Sequence, residues 1–241
     1  MAIDRGYMTR TEAEVAQYDV GLRQYMLSVY NYMASALALT GLIAYATATY
    51  AMSNPAVANL LFVSPLKWVI MLAPIGLVFF LAARVHAMSS GTAQATFWIY
   101  ASLMGLSLAS IFLVFTGQSI ARVFFITAGT FAGVSLYGYT TKRDLSGFGT
   151  FLFMGLIGIV LASLVNIFLG SSGLNFIVSI LGVLIFSGLI AYDTQKIKEQ
   201  YNDAYGSDMA DKVAIFGALS LYLDFVNLFQ FLMSFFGQQR D

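Results

Sequence analysis

The chain carries a series of apolar runs long enough to cross a bilayer, and few folds survive that constraint. A hydrocarbon core of about 30 Å takes about 20 apolar residues per helical crossing, and backbone polar groups in lipid must be satisfied within the helix itself. Runs of this kind occupy Met26–Met52, Leu66–His86, Ala93–Thr116, Ile120–Thr140, Phe148–Gly170, Leu174–Gln195 and Val213–Phe236. Composition agrees, since 59% of the residues are apolar and 10% charged, with a mean hydropathy of +0.77. Those values lie outside the range of soluble domains. The expectation is an all-α integral membrane protein with seven transmembrane helices. Residues 1–25 are read as a polar cytoplasmic N-terminal segment and residues 26–241 as the transmembrane domain. The first apolar run is too long for a signal-peptide core, so no cleaved leader is expected and the first span does the targeting.

Between the runs stand turn-forming stretches such as "SNPAVANLLFVSP", "TGQS", "TKRDLSG" and "GSSG". The third and fourth spans are so closely joined that they read as a tight antiparallel hairpin. With seven crossings, one side of the membrane holds Arg5, Arg10, Arg23, Arg84, Lys142, Arg143, Lys196, Lys198 and Lys212, and the other Lys67, Arg122 and Arg240. Cytoplasmic loops carry the excess of Lys and Arg, which puts the N-terminus inside and the C-terminus outside.

Charge and cysteine content exclude several function classes. A formal net charge of zero favours neither nucleic acid nor an acidic partner, and no polybasic cluster points to specific lipid binding. Without cysteine there are no disulfides, thiolate metal sites or cysteine nucleophiles. The single His86 cannot build a paired-histidine zinc motif, and no lysine lies within the seventh span for a Schiff base. Helix packing is expected at small residues: Gly129 and Gly133 in a GxxxG arrangement, and Ser102, Gly105 and Ala109 on one face of the third span. Trp68, Trp98, Tyr50, Tyr137 and Tyr139 read as interfacial anchors.

The acids are the informative residues. No Asp or Glu occurs between Asp19 and Asp144, and spans one to five contain none. The acids within spans are Asp193, in "GLIAYDTQKI" near the inner end of the sixth, and Asp224, midway along "ALSLYLDFVNLFQFL" in the seventh. An aspartate at a helix centre costs about 2.5 to 3.5 kcal/mol to insert, so it should face the bundle interior rather than lipid. Ser220 and Asn227, at i−4 and i+3, share its face and make a polar stripe. Asp193 has Lys196 at i+3 as a possible ion-pair partner, and in a simple hairpin Asp224 lies deeper than Asp193. Asp203, Asp208 and Asp211 lack the spacing of a calcium loop and read as a solvated turn with a helix cap.

These two aspartate-bearing segments, together with "YDVGLRQYMLSVYNYMASALALTG" at the first span, resemble the Bax-inhibitor family of multi-pass membrane proteins in its bacterial branch. The resemblance covers the whole chain. It implies a seventh helix surrounded by the other six, residence in the bacterial inner membrane, and a pH-sensitive calcium leak. It also implies that Asp193 and Asp224 share a proton as a pH sensor along the ion pathway, with Arg84, in "LAARVHAM", as a gating latch. Some relatives use a further carboxylate in the early spans; this chain has none there.

Physical chemistry fits the implied activity. Two carboxylates within reach of one another cannot both ionise cheaply in low dielectric, so they titrate as a unit. A shared proton joins the two helices at acid pH, and its loss favours separation or entry of a cation. Calcium takes six to eight oxygen ligands, so Asp193 and Asp224 with Ser220, Asn227, carbonyls and water would bind it weakly and transiently. The expected partners are therefore the lipid bilayer, calcium as transported ion and protons, with no cofactor, no nucleic acid and no identified protein partner. Three rival readings stand beside this one. A titrating pair serves a proton-coupled cation antiporter as well as a leak, and a regulator of membrane partners carries no flux. An intramembrane aspartyl protease also uses two acids on neighbouring spans. That last family's pattern needs Gly-x-Gly before the second aspartate, where this chain has Tyr222 and Leu223, and a late Pro-Ala-Leu, whereas its prolines are Pro55, Pro65 and Pro74.

Overall fold

A computed structural model describes the backbone of residues 4–84 and 87–240, and the side chains of residues 17–240 apart from positions 82, 85 and 86. The side chains of Arg5 and Arg10, and His86 altogether, lie outside the described residues. Every element is helical: α1 (Asp4–Ser53), α2 (Pro55–Ala58), a π-helical turn (Asn59–Val63), α3 (Leu66–Arg84), α4 (Ser90–Val114), α5 (Gly117–Thr140), α6 (Ser146–Leu169), α7 (Ser172–Glu199) and α8 (Ser207–Phe236). Six of these are long and apolar enough to cross a membrane, and a seventh crossing results if the bent pair Pro55–Val63 and Leu66–Leu81 counts as one span. The outer surface is made of large apolar side chains such as Phe79, Phe125, Ile167 and Phe168, a surface suited to lipid and not to water.

Local chemistry sets the helix ends. Thr116 and Ser171 each place a side-chain oxygen on the backbone N–H three residues on, capping α5 and α7. Gly170 closes α6 in the left-handed conformation that only glycine adopts without strain. Two segments depart from the sequence reading. The stretch 55–63, expected as a connecting loop, is helical because Asn54 caps it and Pro55 fits its first turn; it meets α3 at 55°. The helix α8 begins at Ser207, well before the expected Val213, and takes Asp208 and Asp211 out of the loop. Asp208 accepts a hydrogen bond from Ser90 N at 2.9 Å and pairs with Lys212 at 2.8 Å, so it is solvated as expected but stands in the first turn of α8 and helps to cap α4 across space.

The packing centres on α8. In its most apolar stretch 61% of the residues are buried, against 11% in α6. Four helices, α1, α4, α5 and α7, pack on α8, while α3 lies on α4 and α6 on α7. The expected α4–α5 hairpin turns tightly at Phe115 and Thr116 but then splays: α4 packs chiefly on α1, then on α3 and α8, and α5 on α7 and α8. The C-terminal tail holds that turn, with Thr116 N donating to Gln238 O and Arg240 N to Val114 O.

Of the glycines expected at close approaches, Gly105 is at one and the Gly129–Gly133 pair is not. Gly129 and Gly133 face open space, with nothing within 4 Å of where a side chain would begin. The backbone of α5 instead meets α7 at Gly138, against Ala191, and α4 meets α1 at Gly105, against Thr40 and Ile43. A GxxxG pattern marks only where close packing is possible; α5 turns that stripe outward because its buried face runs through Val123, Thr127, Phe131, Ser135 and Gly138.

Two buried hydroxyl links tie the helices. Thr40 Oγ1 donates to Ala101 O at 2.8 Å and stands 2.7 Å from Tyr222 Oη. Because the threonine has a single proton to give, Tyr222 is the donor in the second bond. Tyr30 Oη, Ser135 Oγ and Thr194 Oγ1 form a second chain, at 2.7 and 3.0 Å, joining α1, α5 and α7. We expect Tyr222→Phe to lower stability by about 0.6 kcal/mol and at most about 1.7, the range for interhelical hydrogen bonds in lipid, read as a small fall in thermal unfolding temperature in detergent.

Candidate functional site

The hairpin of α7 and α8 fixes the relation of the two intramembrane acids. Gly217 meets Ile197, Gly182 lies under the Phe231 ring, and Ser179 Oγ donates to Ser234 Oγ at 3.0 Å. In that register Asp193 stands level with Ser220, one helical turn of about 5.4 Å from Asp224. Asp224 is thus the deeper acid, as the spacing requires. A cavity of about 570 Å³ between α6, α7 and α8 spans the difference, and both aspartates line it. Ser220 and Asn227 line the same cavity. The residues singled out on α7 and α8 from spacing alone are therefore brought to one place.

Their environments differ. Asp224 is buried, 5% exposed, and its Oδ2 has no hydrogen-bond partner. Asp193 is half-buried near the end of α7. A buried polar atom without a partner is rare in a native protein and marks either a proton-bearing oxygen or a place for a ligand. Asn227 Nδ2 donates to Leu223 O at 2.8 Å, so the amide N–H is held on its own helix and the carbonyl oxygen is what the side chain can offer a cation. Among the described residues no group of three or more His, Cys, Asp or Glu gathers at this cavity or elsewhere. A divalent ion here would find two carboxylates, neutral oxygens and water, a ligand set for brief residence.

Other residues join the acids, Ser220 and Asn227 in the cavity, and those other than Lys196 carry no signal in the sequence. Lys196, considered there as an ion-pair partner of Asp193, lines the cavity with its ammonium 5.8 Å from the centroid of the Tyr192 ring. Tyr192 itself is accommodated because Gly149 of α6 has no side chain: a Cβ there would lie 2.5 Å from the ring. Thr150 and Phe153 complete the α6 wall. Nothing in an apolar span distinguishes Gly149 from its neighbours, so only the fold could find it.

Arg84 is elsewhere. It is the last residue of α3, is exposed, and is not among the residues lining the aspartate cavity. In this conformation the expected latch does not engage the acids, because α3 packs on α4 and stands outside the α6–α7–α8 wall.

Among the described residues the all-helical bundle, its lipid-ready surface and its long apolar helices define a multi-pass membrane protein, with two aspartates on a cavity against its most enclosed helix. The chain belongs to the Bax-inhibitor family: residues 22–241 match the family described as "Inhibitor of apoptosis-promoting Bax1". Its relatives are bacterial. It is 47% identical to the inner membrane protein YbhL of Escherichia coli K12, over 94% of this chain and 96% of that protein. An uncharacterised protein of Rickettsia prowazekii is also 47% identical, over 99% of this chain and all of the relative. A membrane protein of Streptococcus pyogenes serotype M3 is 37% identical, over 92% of this chain and 96% of its own length.

Proposed function

We propose that the protein is a pH-sensitive calcium leak of the bacterial inner membrane, with Asp193 and Asp224 as its proton-sharing sensor and as part of its ion path. The observation that carries this reading is the cavity that Asp193 and Asp224 both line, together with the burial of Asp224 Oδ2 without a hydrogen-bond partner. With a proton between them the acids tie α7 to α8. Without it, two negative charges face one space, and a cation entering from the Asp193 side relieves their repulsion. Ser220 and Asn227 supply neutral oxygens along the way. No covalent chemistry is assigned to the pair. The test is calcium entry into proteoliposomes at a series of pH values, with protein-free vesicles as reference. Flux that rises with pH and runs without a counter-gradient of protons supports the leak. Flux that demands such a gradient makes the protein an antiporter, and no flux at any pH leaves a regulator of membrane partners.

The proposal takes the bent pair as one crossing, giving seven, with the basic end of the bundle in the cytoplasm. The chain's lack of cysteine makes this directly testable. Ala204, in the connection before α8, and Gln238, beyond its end, are both exposed. In oriented membranes, Ala204→Cys should react with an impermeant thiol reagent only from the cytoplasmic face and Gln238→Cys only from the opposite one. Labelling of both from one side would remove the seven-crossing topology.

A further inference from the structure

A second cavity system lies on the other side of α8, away from the acids. Both α1 and α5 pack on α8, and a cleft stands between them. At the end of the bundle that holds the loop before α8, the cleft has a volume of about 680 Å³ and is lined by Arg23, Met26 and Tyr30 of α1 and by Phe131, Ala132 and Tyr139 of α5. Further along the same two helices lies a second, separate space of about 280 Å³, bounded by Leu37, Gly41 and Ala44 on α1, Leu108 and Phe112 on α4, and Ala121 and Phe125 on α5. Its floor is the apolar surface of Phe225, Val226 and Phe229 on α8.

Small residues make this room. Gly41 and Gly117 meet nothing within 4 Å, and Ala44, Ala121 and Ala132 project little from their helices. The two spaces have no lining residue in common, and the charged and tyrosine side chains stand at the first. At one end stand the Arg23 guanidinium and the hydroxyls of Tyr30, Ser135 and Tyr139. Lys198 of α7 is not part of that lining but lies behind Tyr139, its Nζ donating to Tyr139 O at 2.8 Å and lying 5.1 Å from the centroid of the Tyr139 ring. At the other end the walls are hydrocarbon. A charged head followed by an apolar tail is the layout of a bilayer lipid, and basic pockets between transmembrane helices take anionic headgroups.

We propose that the α1–α5 cleft is a binding site for an anionic glycerophospholipid, its headgroup against Arg23, with Lys198 behind Tyr139, and an acyl chain running past Ala132 toward Gly41 and Phe125. The two basic residues are far apart in the chain and form no polybasic run, so this site exists only in the fold. It is independent of the aspartate cavity and of the leak reading.

The test is native mass spectrometry of the full-length protein in mild detergent, titrated with phosphatidylglycerol or phosphatidylcholine of identical acyl chains. The protein should retain phosphatidylglycerol over phosphatidylcholine, and Arg23→Gln should lower that preference about fivefold, the factor expected of one basic residue at an anionic lipid. Ala132→Trp and Gly41→Leu should each reduce retention of both lipids by filling the path of the chain. Gly129→Leu and Arg122→Gln, which alter exposed positions of α5 outside the lining, should leave retention unchanged. Equal retention of the two lipids by the native protein overturns the proposal. So does an undiminished preference in Arg23→Gln, or full retention in a folded Gly41→Leu. Loss of lipid in Gly129→Leu would place the bound lipid on the outer α5 stripe instead and equally overturn it.

Discussion

Asp193→Asn and Asp224→Asn should each abolish the rise of calcium flux with pH as completely as the double variant does. The reason is the geometry of the pair. The two acids line one cavity, so in the proposed leak the state that admits a cation is the one in which both are unprotonated. Each pH unit changes the population of a proton-free acid by up to about tenfold, and a coupled pair passes that dependence on through its joint titration. Replacing either acid with a neutral amide removes the doubly charged state altogether. The remaining carboxylate titrates alone, without a partner charge to repel, and helix separation loses its drive. Independent sensors would behave otherwise: each single variant would keep part of the pH response and the double would be additive. Asn227→Ala serves as a graded control, since it removes a neutral oxygen from the lining but no titrating group. It should lower flux at every pH and leave the pH profile in place. A native protein that moves no calcium, or aspartate variants that keep the native profile, would end the leak mechanism.

Much of this arrangement was legible in the sequence because lipid is a strict solvent. Each apolar run found a helix, and the acids could be picked out because carboxylates inside spans are expensive and therefore few. The period of a helix then tied Ser220 and Asn227 to Asp224, and the cavity contains all of them. Legibility ended where the outcome depends on which helices meet. The GxxxG stripe at Gly129 and Gly133 has the right residues and the wrong side: the buried face of α5 is fixed by its contacts with α7 and α8, which no local pattern encodes. Arg84 sits at a helix end as expected, yet its reach toward the acids depends on where α3 docks, and α3 docks on α4. The stretch 55–63 read as a loop from the turn-forming residues that bracket it, but Pro55 comes immediately after the capping Asn54, where proline starts a helix rather than stopping one. Arg23 and Lys198 illustrate the same limit, since they are brought to the two sides of α5 by helices far apart in the chain.

The largest effect on stability should come from Gly138→Leu. A Cβ at Gly138 would overlap the carbonyl group and Cα of Ala191, all backbone atoms, so no rotamer change in a neighbour relieves the clash. The helices α5 and α7 must move apart, and with them goes the buried chain from Tyr30 through Ser135 to Thr194. Overpacking of this kind costs about 1 to 3 kcal/mol where side chains can adjust, and the backbone contact here puts the substitution at or above the upper figure. Since α7 also carries Asp193 two residues beyond the contact, loss of the native packing should reach the acidic cavity as well. The expected result is little or no monodisperse protein in detergent, or a thermal unfolding temperature far below that of the parent. Gly129→Leu, on the same helix and in the pattern that sequence favours for packing, should leave the unfolding temperature nearly unchanged because the position faces open space. If the two substitutions were equally harmful, α5 would be rotated from the orientation described here. Gly138→Ala separates the contributions: it adds the clashing Cβ and nothing more, so a loss close to that of leucine assigns the effect to the α5–α7 backbone contact itself.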